Sequence, residues 1–269
     1  MANSEYEQQY KRKVIDFFNS RTTYDNDYTI RRAVPLLELV PLKKGQRVLD
    51  MATGTGIIAI AAAQAVGDEG KVIGVDFSPG MLNQARQKIN ELGLENIELI
   101  EADAEYIDFD DESFDIIICS TAIVYFKDIP AALKKWYSWL KKGGLLGFSS
   151  CSQYSCEAPI VIAACAKYGI DIANINAPTG TSENCRNLLI DAGFIDIQIT
   201  SQQLGFYRSF EQAKEWNGTW FHPRENPLLS LPLEQIEKLK VEYYREIEEK
   251  VTSEGVWYEN LTFFVTGCK

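Results

Sequence analysis

Val48-Leu49-Asp50-Met51-Ala52-Thr53-Gly54-Thr55-Gly56 runs from an apolar strand pattern into a carboxylate, through a turn of small residues, and on into an Ala-rich segment. Small side chains let the backbone approach a ligand closely, glycine tolerates positive φ, and a helix that starts there points its free N–H groups at the same spot. Outward from this turn the chain alternates short β-branched runs with helical stretches. Strands are expected at 46–51, 71–76, 96–101, 114–120 and 144–150, and helices at 56–66, 78–93 and 128–140. Ser78 is placed as an N-cap, Pro79 as the first helical residue and Gly93 as the stop. Such β-α alternation with short connections indicates an α/β, Rossmann-like, doubly wound sheet.

The rhythm breaks after the fifth strand. Residues 151–180 read as an irregular, mostly apolar insertion. A helix at 181–192 and a strand at 194–200 then resume the pattern, and 202–258 departs from it again with many aromatics and a long charged helix near 233–251. A final apolar strand at 260–267 completes an expected seven-stranded, mostly parallel sheet whose last strand is antiparallel. No linker composition divides the chain, so 1–269 reads as a single domain. Its core is 45–150, 181–201 and 259–269, and 1–44, 151–180 and 202–258 form a helical and aromatic lid over an acceptor pocket.

Composition narrows the function classes. The 269 residues are 46% hydrophobic and 24% charged, as in ordinary globular proteins. The longest apolar run, 57–63, is far shorter than the roughly 18 residues a membrane span needs. The N-terminus has neither a basic nor an apolar stretch, so no secretory signal is expected. A net charge of −11 argues against nucleic-acid partners, which need Lys and Arg to displace counterions. The six cysteines form no C-x-x-C pair. Reduced thiols in a cytoplasmic protein are therefore expected, with no metal.

Three acidic positions decide what the turn binds. Gly54-Thr-Gly56-Ile-Ile-Ala59 also satisfies the dinucleotide G-x-G-x-x-G/A pattern, and Asp76 ends the second strand where a carboxylate can accept both hydroxyls of a ribose. Asp50, however, stands at the mouth of the first strand, where it repels a pyrophosphate and attracts the ammonium of a methionine tail. In Glu101-Ala-Asp103-Ala104 an acid is placed to accept from an adenine amino group, and Leu140-Lys-Lys-Gly143-Gly144 reads as a turn into strand five. These features favour S-adenosyl-L-methionine over a nicotinamide dinucleotide. An NAD(P)-dependent oxidoreductase and a non-catalytic cofactor-binding subunit are the competing readings.

Over about residues 14–150 the chain resembles the class I S-adenosylmethionine-dependent methyltransferases, closest to the branch of ubiquinone and menaquinone C-methyltransferases. The resemblance implies that Asp50, Ala52, Gly54 and Gly56 hold the methionine part of the cofactor. It also implies that Asp76 binds the ribose with Phe77 against adenine, that Asp103 and Ala104 read the adenine edge, and that Met81 and the backbone near Ser120 line the site. Phe17-Phe18 and Tyr24-Asp25 resemble that branch's N-terminal cover, which brings Tyr24 to the cofactor. Two departures stand out. Ala52 replaces the usual first glycine of the loop. The segment 121–126 lacks both the Asn/Asp-Pro-Pro-Tyr of amino-group methylases and the Pro-Cys of cytosine-C5 enzymes.

The implied reaction is methyl transfer to O, N or C of a small hydrophobic or aromatic acceptor by in-line displacement. Alignment alone contributes roughly 7–11 kcal/mol to such a step. His222, the only histidine, is the candidate catalytic base, with Tyr24, Tyr125 and Tyr154 as alternatives. Trp216 and Trp220 share a face if 216–220 is helical, and can wall either a ring-bearing acceptor or the protein core.

Overall fold

The first strand, β1 (Arg47–Met51), is buried from its second residue onward because helices cover both faces of its sheet. Val48 joins one apolar cluster and Leu49 and Met51 the other. The same alternation holds for Ile116 and Ile118 against Ile117 and Cys119, as the two-residue period of a strand requires. The computed structural model describes residues 5–216 and 222–269. Two N-terminal helices, α1 (Glu5–Asn19) and α2 (Asp27–Leu39), precede β1. After it come α3 (Ile57–Val66), β2 (Lys71–Asp76), α4 (Pro79–Leu92), β3 (Ile97–Glu101), β4 (Phe114–Ser120), α5 (Ile129–Trp139) and β5 (Leu140–Cys151). The chain continues through α6 (Ala158–Ala166), α7 (Ser182–Ala192), β6 (Ile195–Gln203), β7 (Phe206–Arg208), α8 (Phe210–Ala213), α9 (Leu233–Glu248), β8 (Val251–Thr252), β9 (Gly255–Tyr258) and β10 (Leu261–Cys268).

Seven strands form one sheet in the order β3-β2-β1-β4-β5-β10-β6, with β10 antiparallel to both of its neighbours. Both the expected α/β class and the antiparallel last strand hold. The order reverses at β1 and β4, and a crevice opens at such a switch point beyond the strand C-termini. Expected caps are present: Ser78 Oγ accepts from Met81 N, and Gly93 ends α4 in the left-handed region.

Three readings change. Residues 140–144 were expected to form a turn, yet they belong to β5. The pairing jumps from Phe114–Leu140 to Ile116–Leu145, so the extra residues are taken up as an irregularity in the ladder around Gly143, at φ 75°. The insertion 151–180 holds a helix, α6. Its sequence APIVIAACA is apolar on every side, so no 3.6-residue stripe marks it, and it packs against α9 in a third apolar cluster. The aromatic segment folds partly as a small sheet of order β7-β9-β8.

Helix α1 is fastened over the sheet's C-terminal edge by a charged network. Lys127 Nζ donates to Glu7 Oε2 at 2.6 Å, Tyr106 donates to Glu7 Oε1, and Lys11 stands 3.3 Å from Glu7. Burial alone would raise the Glu7 carboxyl, but the hydrogen bonds from Lys127, Tyr106 and Lys11 outweigh it and hold the group at about 2. A carboxyl depressed in the folded state stabilises fully above its ordinary value and loses that contribution as pH falls through the folded one. Glu7→Gln therefore costs about 1–2 kcal/mol at neutral pH, read as a lower melting temperature. The gap between wild type and variant closes as pH is lowered from about 5 to about 2. A gap that stays constant over that range would contradict the network.

Candidate functional site

At the C-terminal end of β1 the chain turns with Ala52 at φ 55°, Gly54 at φ 57° and Gly56 at φ 79°. Glycine enters this left-handed region freely, whereas an alanine there costs roughly 1–2 kcal/mol. Gly56 begins α3, and a Cβ on it would lie 3.2 Å from Ala85 of α4, which accounts for glycine at that position. The turn is tied to the second strand by Asp76: Gly54 N donates to its Oδ2 and Ser78 N to its Oδ1, each at 2.8 Å. Burial raises the Asp76 carboxyl, and backbone N–H groups of Ser78, Gly54 and Phe77 counter it. Asp50 is 1% exposed and accepts from Thr53 Oγ1 at 2.6 Å. Its carboxyl is pushed up to about 7, first by burial and then by the neighbouring Asp76, against the hydrogen bonds from Thr53 and Ala59.

Two cavities border this loop and a third lies beyond them, and Thr121 lines all three. The first, about 100 Å³, lies between the strand ends and α1, and takes its walls from Ala52, Gly54, Asp76, Phe77, Met81 and Ser120 together with Asp103 and Ala104. The second, about 60 Å³, is bounded by Asp50, Ala52, Gly54, Ser120 and Tyr24. Every cofactor residue implied by the resemblance therefore faces one of these two, apart from Gly56, whose part is to cap α3. The third cavity, about 260 Å³, opens between α2, the end of β5 and α6, with Tyr125, Asn176 and Trp216 among its walls. Thr121 sits at φ 53°, unusual for a β-branched residue, and is held there because its N–H reaches Ser149 Oγ at 2.9 Å.

The candidate bases fare differently. His222 is 1% exposed and lines none of the three cavities. Its Nδ1 accepts from the backbone N–H groups of Arg224 and Glu225, while Nε2 is buried without a hydrogen-bond partner among the described residues. Burial and the nearby Arg224 lower its pKa, which favours the neutral ring. Tyr24 and Tyr125 do reach the cavities; burial raises both phenols, Tyr125 to about 12. Tyr154 is 62% exposed. Trp216 packs 5.7 Å from the Tyr243 ring just beyond the short helix α8, and Trp220 lies outside the described residues.

Sequence reasoning missed the inner face of α1. Tyr10, Lys11 and Val14 line the first cavity beside Phe18, and Lys11 Nζ donates to Asp103 Oδ2 at 2.6 Å while pairing with Glu105 at 3.0 Å. Tyr6, Tyr10, Val14 and Phe18 recur every four residues, which was the available signal. The loop after α1 is anchored as well: Thr55 and Lys88 both donate to Asp25.

A family model for the methyltransferase domain matches residues 42–214, which include the turn, β1 to β5 and the third cavity's walls other than Arg32 and Trp216. This chain belongs to the methyltransferase-domain family. Among curated relatives of this chain, an aklanonic acid methyltransferase from Streptomyces sp. (strain C5) is 35% identical over 145 residues, covering 52% of this chain and 66% of that protein. A demethylmenaquinone methyltransferase from Listeria welshimeri is 38% identical over 117 residues, covering 44% and 50%. The aligned stretches thus span about half to two thirds of these relatives. A solved structure of a candidate methyltransferase from Bacillus halodurans superposes on 89% of this chain and 99% of its own, at a TM-score of 0.60 and 25% identity.

The left-handed alanine yields a measurable consequence. Ala52→Gly removes the steric cost at φ 55° and raises stability by up to about 1 kcal/mol, after the added entropy of an unfolded glycine is subtracted. Chemical denaturation checks this, and a fall in midpoint would show that the Ala52 methyl makes a contact worth more than the strain.

Proposed function

We propose that this methyltransferase transfers the methyl group of S-adenosyl-L-methionine to a small acceptor with an apolar or ring-bearing body. The observation that carries the reading is the meeting of three cavities at Thr121: an apolar slot edged by Asp76 and Asp103, a small chamber walled by Asp50, and a larger chamber on the far side. On this reading the adenosyl group lies along the first, the methionine tail points into the second, and the acceptor reaches the junction from the third.

The residues fit the group chemically. Asp76 keeps lone pairs for the ribose hydroxyls after accepting two backbone N–H bonds, and Phe77 and Met81 supply apolar surface for the base. Asp103 would read the adenine amino group while Lys11 steadies it from α1. Asp50 would hold the ammonium of the tail. Bound there, the sulfonium would supply an activated methyl carbon for in-line displacement by an electron pair of the acceptor, with the thioether as leaving group. The chain's own part is alignment and water exclusion, with α1, Tyr24 and Tyr125 among the walls that close the first cavity. No step is assigned to His222, which stands apart from the cavities.

A net charge of −11 supports a small acceptor over a nucleic acid. The six unpaired thiols support a reducing, cytoplasmic setting, and among the described residues no helix is long and apolar enough to cross a membrane.

Calorimetry with S-adenosylhomocysteine tests the proposal. Asp50 must be ionised to attract the ammonium, so affinity rises with pH through about 7, and binding below that value releases a proton from the carboxyl. Asp50→Asn removes this pH dependence and weakens binding roughly 10- to 100-fold. Failure of the wild type to bind the thioether, or binding of NAD in its place, would refute the cofactor assignment.

A further inference from the structure

Arg32, on α2, lines both the tail chamber and the larger acceptor cavity, so its guanidinium stands in the wall between them. Its position is set from below: the guanidinium lies 5.1 Å from the centre of the Tyr28 ring, and Asn260 Nδ2 donates to the Tyr28 hydroxyl. Among the described residues it has no ion-pair partner within 4 Å. Nη2 donates to Cys151 Sγ at 3.2 Å, and a thiol sulfur is a weak acceptor. Nε is buried and, among the described residues, has no hydrogen-bond partner. Among the described residues, Glu157 is the carboxylate lining the larger cavity and is already paired with Arg208, while Asp50, which shares the tail chamber, accepts from Thr53 Oγ1 and makes no ion pair with Arg32. An arginine cannot shed its proton, so a mostly buried guanidinium with an orphaned donor carries a standing desolvation cost that an incoming anion can offset. The planar fork is matched to oxyanions, which it holds through two parallel N–H bonds.

We propose that Arg32 binds an oxyanion of the methyl acceptor, so that the cavity selects ring-bearing carboxylates or chemically similar anionic oxygens over neutral compounds of the same shape. The inference deepens the methyl-transfer reading and rests on it. The remaining walls suit such a ligand. Val124, Val161 and Trp216 offer apolar and aromatic surface, while Ser150, Ser155 and Asn176 supply polar groups at the cavity's edge. The volume of about 260 Å³ admits a fused two-ring body with one carboxylate. Arg32 also faces the tail chamber, so the cofactor's own carboxylate is the other source of the same chemistry, and the experiment has to separate the two.

The probes are 2-naphthoate and its neutral amide, titrated by calorimetry into wild type and Arg32→Met, with and without saturating S-adenosylhomocysteine. Naphthoate is expected to bind the wild type in preference to the amide, and R32M to weaken naphthoate by at least about tenfold while leaving the amide unchanged. R32K, which keeps the charge but loses the fork, recovers part of the naphthoate binding and guards against a folding defect in R32M; circular dichroism is recorded for both. No preference for naphthoate in the wild type, or equal naphthoate binding by wild type and R32M, overturns the assignment. A second arm compares S-adenosylhomocysteine with its decarboxylated analogue. If R32M weakens the first by tenfold and spares the second, the oxyanion belongs to the cofactor and the proposal fails. Binding of S-adenosylhomocysteine to wild type reads the methyl-transfer proposal separately, because the ligand-free naphthoate titrations do not depend on it.

Discussion

The site hangs on the carboxylate of Asp76, which receives the N–H of Gly54 across the crevice and the N–H of Ser78 in its own chain direction. Those two bonds fasten the glycine turn after β1 to the start of α4, so both helices that border the crevice keep their spacing. Asp76 is 6% exposed, where an unsatisfied carboxylate would be costly, and the backbone donors are what make its burial tolerable. Asp50, deeper and 1% exposed, has Thr53 as its side-chain donor and is the less satisfied of the two. A buried acid that resists ionisation until a cation arrives is a binding element poised for one kind of ligand.

Around that pair the chain arranges its remaining polar groups by region. On the α1 side, acids and lysines interlock: Glu7, Lys11, Asp103, Glu105 and Lys127 share close contacts, so the helix is fastened to the first cavity's rim by charge. On the α2 side the balance is different. Among the described residues Arg32 makes its direct contacts with a ring and a thiol rather than with a carboxylate.

Backbone strain also marks this region of the sheet, which holds two of the five non-glycine residues at positive φ among the described residues. Ala52 and Thr121, both non-glycine residues in the left-handed region, flank the junction of the cavities from the ends of the adjacent strands β1 and β4. Thr121 is kept in place by Ser149 on β5, so three neighbouring strands contribute to the shape of one point. Strain of about 1–3 kcal/mol per residue persists where surrounding structure over-determines it, and the dense central sheet provides that support.

The sequence alone determined the sheet, because its signals are local and periodic. The two-residue alternation of Val48 to Met51 and Ile116 to Cys119, the Ser78-Pro79 start and the Gly93 stop each report on the few residues around them. It also determined most of the crevice, since the acids at 50, 76 and 103 fall at strand ends by the same rhythm. Tertiary structure decided the rest. Helix α6 has apolar residues on every side and declares itself only when α9 covers it. His222 is chemically attractive in isolation, yet its Nδ1 is engaged by its own chain, a fact that depends on a loop's path and not on residue type. Arg32 reads as one charge on an amphipathic helix until packing strips it of water without giving it a carboxylate. Local propensity acts through neighbours in sequence; burial and the pairing of charge act through neighbours in space.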